Sequence, residues 1–151
     1  MTPAKTLLTS LTASAALIAT AAIAQGGEGG RKFSIALTGE AEVTAAGVPN
    51  QGDLEGTGTA NVTVNVGKPS VCYELEVQDI AAATAAHIHI GASTTTGGVV
   101  VPLEAPTDGD SSGCVDITKE LAKQIISNPK NYYVNVHNSE FPGGALRGQL
   151  A

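Results

Sequence analysis

At 151 residues the chain is long enough for one domain with a buried core, and it is acidic, with 14 Asp and Glu against 8 Lys and Arg for a net charge of −6. With no basic cluster, that balance excludes a nucleic-acid-binding face and an anionic membrane surface as partners. It also repels an anionic substrate unless a local cation overrides the field.

Met1 to Ala24 reads as a secretory signal peptide. Lys5 is followed by an apolar Ala/Leu/Ile stretch from Leu7 to Ile23, and Ala22-Ile23-Ala24 forms a small-x-small cleavage site before Gln25. A transmembrane anchor is the alternative, but Thr and Ser dilute the stretch and no charged stop-transfer flank follows it. The expected mature chain is 25–151, periplasmic or secreted, with no membrane association after cleavage. Losing Lys5 takes the net charge from −6 to −7. In an oxidising compartment the two cysteines, Cys72 and Cys114, pair by default as a disulfide. On the chain-entropy model, closing that loop stabilises the fold by about 4 kcal/mol. The other reading, a pair of thiolate metal ligands, lacks the short paired spacing of such sites.

Gly-rich Gln25 to Lys32 is expected to be a flexible lead-in. Phe33 to Thr38 then reads as a strand with Phe33, Ile35 and Leu37 on one face, continuing through Gly39–Val43 to a turn at Gly47–Gly52. Gly56 to Val66 alternates, with Val62, Val64 and Val66 facing one way. Gly67-Lys68-Pro69-Ser70 turns the chain into a hairpin partner, Val71 to Val77. Small apolar residues from Ala81 lead into a strand at His87–Ile90, and Gly91–Gly98 is a loop. Val99–Leu103 is a short strand whose Pro102 suits an edge or an end, and Pro106–Gly113 is a loop. An element starts at Cys114. Thr118 caps a helix over about 119–127, with Glu120 in its first turn and Leu121, Ala122, Ile125 and Ile126 as its apolar stripe. Asn128-Pro129 stops it, Tyr132–His137 is a strand, Phe141–Gly144 turns, and Ala145–Leu150 closes. Short strands split by Gly-rich turns, with one short helix, predict an all-β antiparallel Greek-key sandwich of the immunoglobulin or superoxide-dismutase type.

All three histidines fall in strand sequence. His87 and His89 of Ala86-His87-Ile88-His89-Ile90 point to one face while Ile88 and Ile90 point to the other. Two residues along a strand is about 6.5–7 Å, a span two imidazoles can close onto one ion. His137, in Val134-Asn135-Val136-His137-Asn138, completes a three-histidine metal site if the two strands meet. The structural alternative is imidazoles hydrogen-bonded on a polar sheet face. Imidazole ligands suit copper, zinc or nickel; the affinity order favours copper, and zinc is the runner-up. An open zinc site implies a hydrolase, with Glu140 as a candidate general base. Asn135 and Asn138 either orient His137 or end its strand. Tyr132, Tyr133 and Phe141 read as packing.

Several motifs together resemble the CHRD domain family over residues 33–151. They are Ala86-His87-Ile88-His89-x-Gly91, Gly98-Val99-Val100-Val101-x-Leu103, Tyr132-Tyr133-Val134-Asn135-Val136-His137, and Phe141-Pro142-Gly143-Gly144-Ala145-x-Arg147-Gly148-Gln149-Leu150. The opening Leu37-Thr38-Gly39-x-x-Glu42-Val43 is similar too. The resemblance implies a single-domain secreted module. A second resemblance is to the copper site of copper-zinc superoxide dismutases. There His87 and His89 match the paired copper ligands, His137 the C-terminal ligand, and Arg147 the arginine that guides superoxide, at a different spacing. The bridging histidine and the zinc cluster of that family have no match, so the implied site is copper-only. The implied function is a periplasmic or secreted copper protein with superoxide dismutase-like redox activity at His87, His89 and His137. Superoxide is its small-molecule substrate, Arg147 is the catalytic cation or, equally, a surface ion pair or a guanidinium bonding carbonyls in the C-terminal turn, and homo-oligomer formation is left open. The alternatives are a non-catalytic extracellular interaction module, as in chordin, or a copper storage or delivery protein. The lack of Met-rich ligands speaks against storage.

Overall fold

The computed structural model describes residues 29–151; the expected signal peptide at 1–24, and residues 25–28 of the lead-in, lie outside the described residues. Alternating apolar and polar residues build eight strands: β1 (Arg31–Thr38), β2 (Thr57–Asn65), β3 (Ser70–Gln78), β4 (Ala83–Ile90), β5 (Val99–Leu103), β6 (Asp110–Asp116), β7 (Tyr132–Asn138) and β8 (Leu146–Gln149). They form one antiparallel sheet in the order β5-β4-β7-β8-β1-β2-β3-β6. The sheet folds over on itself. Its two edges meet where Tyr73 Oη on β3 accepts from the Glu104 N–H at 2.8 Å and Ser111 Oγ on β6 donates to the Glu104 carbonyl at 2.8 Å. Around that ring β4, β5 and β6 follow one another, and the chain then returns through helix α1 (Lys119–Ser127) to lay β7 beside β4. That is the Greek-key connection, and the sandwich-like all-β fold expected from the sequence is the one observed.

The core lies between the two halves. Ile35, Leu37, Val62, Val64, Val71, Leu75, Ile88, Val101, Val134, Val136, Leu146 and Leu150 are all buried there. All but Leu150, which follows β8, are the inward residues of their strands, as alternation requires. Helix α1 closes one end. Thr118 Oγ1 accepts from the Leu121 N–H at 3.1 Å as its N-cap, Glu120 stands in the first turn, and Ala122 and Ile125 are buried.

Three expectations are corrected. Strand β1 begins at Arg31, so the last two residues of the expected lead-in pair with β2. It ends at Thr38 rather than running to Val43. Gly39 accepts from the N–H of Gly52 at 3.1 Å, and a Cβ at Gly39 would lie 1.9 Å from the Asp53 carbonyl oxygen. The backbone there folds onto the 52–53 turn at a distance only glycine permits. Strand β6 starts at Asp110, inside the expected loop. Its DSSG opening has no apolar alternation, and it is held as an edge strand by pairing Glu76↔Asp110 through Tyr73↔Gly113.

Cys72 and Cys114 are bonded, directly opposite each other on the β3–β6 ladder with Cα atoms 4.0 Å apart. Such a bridge fits an oxidising compartment. Among the described residues no helix is long and apolar enough to cross a membrane.

Candidate metal centre

Strand β4 pairs with β7, and the register sets Ala85 opposite His137, His87 opposite Asn135, and His89 opposite Tyr133. Strand β8 continues the same surface with Arg147 opposite Asn135 and Gln149 opposite Tyr133. Residues opposite one another share a face. The three histidines therefore lie together on the outer face of the β4-β7-β8 half-sheet, while Ala86, Ile88, Val134 and Val136 on the same strands fill the core. His137 is diagonal to His87, within reach of an imidazole. Bulges flank the cluster: β4 shifts register against β7 between Ala83 and Ala85, and β5 shifts against β4 beside His89. Bulges commonly re-aim side chains in this way.

Each histidine offers a ring nitrogen within 4.8 Å of the others, so the cluster can hold a metal ion. Two nitrogens on one ion stand at most about 4.2 Å apart at ordinary bond lengths, so the widest pair has about half an ångström to close. His87 Nδ1 and His137 Nε2 are already 3.3 Å apart.

Backbone carbonyls set the tautomers. His89 Nδ1 is 2.9 Å from the Gly97 carbonyl, and His137 Nδ1 is 3.1 Å from the Pro142 carbonyl. A carbonyl only accepts, so both Nδ1 atoms carry the proton and both Nε2 atoms carry a lone pair. His89 Nε2 is buried and has no hydrogen-bond partner among the described residues. A buried, unpaired acceptor is costly, and its lone pair is suited to a metal ion. Burial, with the neighbouring His137 and His89, holds the His87 imidazole below the usual histidine range. Burial does the same at His137, opposed by the Pro142 hydrogen bond and helped by His89. The site thus favours the neutral rings that ligate metals.

The surroundings are built from residues that sequence reading undervalued. The Tyr133 ring stacks on His89, 4.9 Å between centroids and 7° between planes. Its hydroxyl accepts from the Gly97 N–H at 3.3 Å. The expected orienting roles of the asparagines take other forms. Asn135 Nδ2 donates to Glu42 Oε2 at 2.5 Å and to the Leu146 carbonyl at 2.9 Å. Asn138 Oδ1 accepts from the N–H groups of Glu140 at 3.1 Å and Phe141 at 2.8 Å, shaping the turn that carries the Pro142 carbonyl to His137. Glu140 is exposed.

Two roles stand open for Arg147 in the sequence, a cation facing an incoming anion or a guanidinium in an ion pair or bonding carbonyls. It is 1 % exposed. Nη2 donates to the carbonyls of Ala92 at 2.7 Å and Thr95 at 3.0 Å. Nη1 stands 3.7 Å from Glu42 Oε1, and the guanidinium lies 3.6 Å over the Tyr133 ring. Tyr133 had the right strand parity to be counted with His137 and Asn135. Glu42 gave no such signal, because it reaches Asn135 from 93 residues away.

A family model described as the CHRD domain matches residues 33–150. No curated protein and no solved structure matches the chain.

Proposed function

The chain belongs to the CHRD domain family, and we propose that it binds one copper ion through His87 Nδ1, His89 Nε2 and His137 Nε2. The observation that carries this reading is the pair of carbonyls, Gly97 and Pro142, that leave His89 Nε2 and His137 Nε2 as lone pairs beside His87 Nδ1. Orientation of ligating imidazoles by backbone carbonyls is the usual outer-shell arrangement of metal sites. Three imidazoles and no carboxylate in the cluster favour copper over harder ions, and the affinity series places copper above zinc. The disulfide supports a periplasmic or secreted location.

When bound, copper supplies one-electron redox chemistry on a small diffusible oxygen species, with superoxide as the candidate. What the chain's own residues do is separable from that. His89 is buried and held flat against Tyr133, His137 is held by the 138–142 turn, and His87 and His137 are both half-buried. With Arg147 occupied by carbonyls and Glu42, this reading includes no steering cation, unlike the dismutase resemblance.

The test is copper titration of residues 25–151, followed by electron paramagnetic resonance, on the wild type and on His89→Ala. One equivalent of copper with nitrogen coupling, lost in the variant, is the expected result, and a superoxide assay on the loaded protein follows. Tight zinc binding without copper discrimination would move the reading to a zinc protein. Silence with both metals would sink it and leave an interaction module.

A further inference from the structure

The 91–98 strap, Gly-Ala-Ser-Thr-Thr-Thr-Gly-Gly, has no large apolar side chain to bury, yet its Gly97 carbonyl is what fixes His89. Something other than hydrophobic packing must hold it, since ordering a loop costs conformational entropy at every residue. The largest single clasp is Arg147, whose Nη2 bonds two strap carbonyls at once, at Ala92 and Thr95. The same guanidinium lies flat over Tyr133, whose other relationships are the stack on His89 and the hydrogen bond from Gly97. On the sheet surface Tyr133, on β7, stands between His89 on β4 and Arg147 on β8.

We propose that Arg147 is a positioning residue for the histidine centre, fixing the tautomer and ring plane of His89 through two routes, the 91–98 strap and the Tyr133 ring. This deepens the metal-binding reading and rests on it. Without the guanidinium the Ala92 and Thr95 carbonyls lose their shared donor, the strap loosens, and His89 Nδ1 loses a fixed acceptor. The neutral ring is then free to carry its proton on Nε2, the nitrogen an ion needs. The Tyr133 ring also loses the cation that holds it parallel to His89. A lysine keeps the charge but is a point donor, unable to lie flat on the ring while bonding two carbonyls.

The experiment uses metal-free, 15N-labelled protein at pH 8. Imidazole nitrogen shifts report the His89 tautomer, and competition with a chelator gives the copper affinity. The wild type is compared with Arg147→Gln, Arg147→Lys, Tyr133→Phe and Val101→Ala, the last a core residue of β5 outside this network. The expected wild-type state is the Nδ1–H tautomer. Arg147→Gln mixes the tautomers and weakens copper by about 10–100-fold, the usual cost of losing an outer-shell partner. Arg147→Lys falls between. Tyr133→Phe keeps the stack but loses the acceptor for Gly97, with a smaller change of the same sign. Val101→Ala, though less stable, keeps both readouts at wild type. A folded Arg147→Gln with the wild-type tautomer and affinity overturns the proposal. If that variant does not fold, wild-type behaviour in both Arg147→Lys and Tyr133→Phe overturns it instead. A wild type that binds neither copper nor zinc fails the metal reading, while the tautomer shifts still decide whether Arg147 positions His89.

Discussion

His87 Nδ1 and His137 Nε2 stand 3.3 Å apart across the β4–β7 ladder, close enough to share one proton or one ion, and never both. Protons and metal therefore compete at this pair. Because His137 carries its proton on Nδ1, the proton between the two rings sits on His87 Nδ1, so an ion taken up there first moves that proton off Nδ1, and acid competes further by charging the rings. Copper affinity is expected to be flat above the usual histidine range and to fall once pH drops below it, with proton uptake on metal release. Calorimetric titration in two buffers of different ionisation heat at pH 6 counts those protons. A count that stays at zero as the titration is repeated down to the acid limit of the folded state would remove His87 and His137 from the ligand set.

The same lowered histidine values set the pH dependence of the metal-free fold. His87 and His137 bind protons less readily folded than unfolded. Their contribution is therefore present above the unfolded value of about 6.5 and is lost as pH falls below it toward the depressed folded values. Urea midpoints at pH 7.5 and pH 5 should show the drop, and His87→Gln should reduce it.

Metal loading should raise the unfolding temperature. Free copper at one hundred times its dissociation constant stabilises the native state by about 2.7 kcal/mol, or roughly 10 °C for a domain of this size. In His89→Ala the rise disappears. Differential scanning calorimetry with and without chelator measures both, and an equal rise in the variant would mean the copper sits elsewhere.

Gly144 has φ +144°, and a Cβ there would lie 2.1 Å from Glu42 Oε2 and 2.7 Å from Asn135 Nδ2. Gly144→Ala forces both strained backbone and displacement of a buried carboxylate. It should cost at least about 1–3 kcal/mol, read from urea unfolding. Gly143, which would meet nothing within 4 Å, should tolerate alanine with little change.

Turnover of superoxide, where it occurs, should speed up as salt is added. The expected mature chain is acidic and Arg147 is buried against Glu42, so the field at the site repels an anion and screening relieves the repulsion. Pulse-radiolysis rates at low and physiological ionic strength decide this. Slowing with salt would mean an accessible cation does guide the substrate.

Local signals carried much of this architecture. Val62-x-Val64 and Val71-x-Tyr73-x-Leu75 announce a hairpin by alternation, Thr118 announces a helix, and His87-x-His89 places two imidazoles on one face. What escaped reading was set by contacts distant in sequence. Asp110–Gly113 becomes a strand only because β3 offers a ladder. Which role Arg147 takes is set by the strap laid over it from 52–55 residues away, together with Tyr133 and Glu42, and none of these is legible from its own neighbours in sequence. Tyr133 was legible by parity, since 133, 135 and 137 share a face, but an aromatic residue beside a strand of valines reads first as core.

The histidines occupy the outward positions of strands whose inward positions, Ala86, Ile88, Val134 and Val136, complete the core without them. Folding thereby does not wait for metal, although an ion that binds the folded site adds stability, in contrast to small domains that stay unfolded until an ion arrives. A chain built this way is finished before it is loaded. On the proposed copper reading and an exported location, the ions on offer where it comes to rest, and not those present where it was made, would then decide which one it carries.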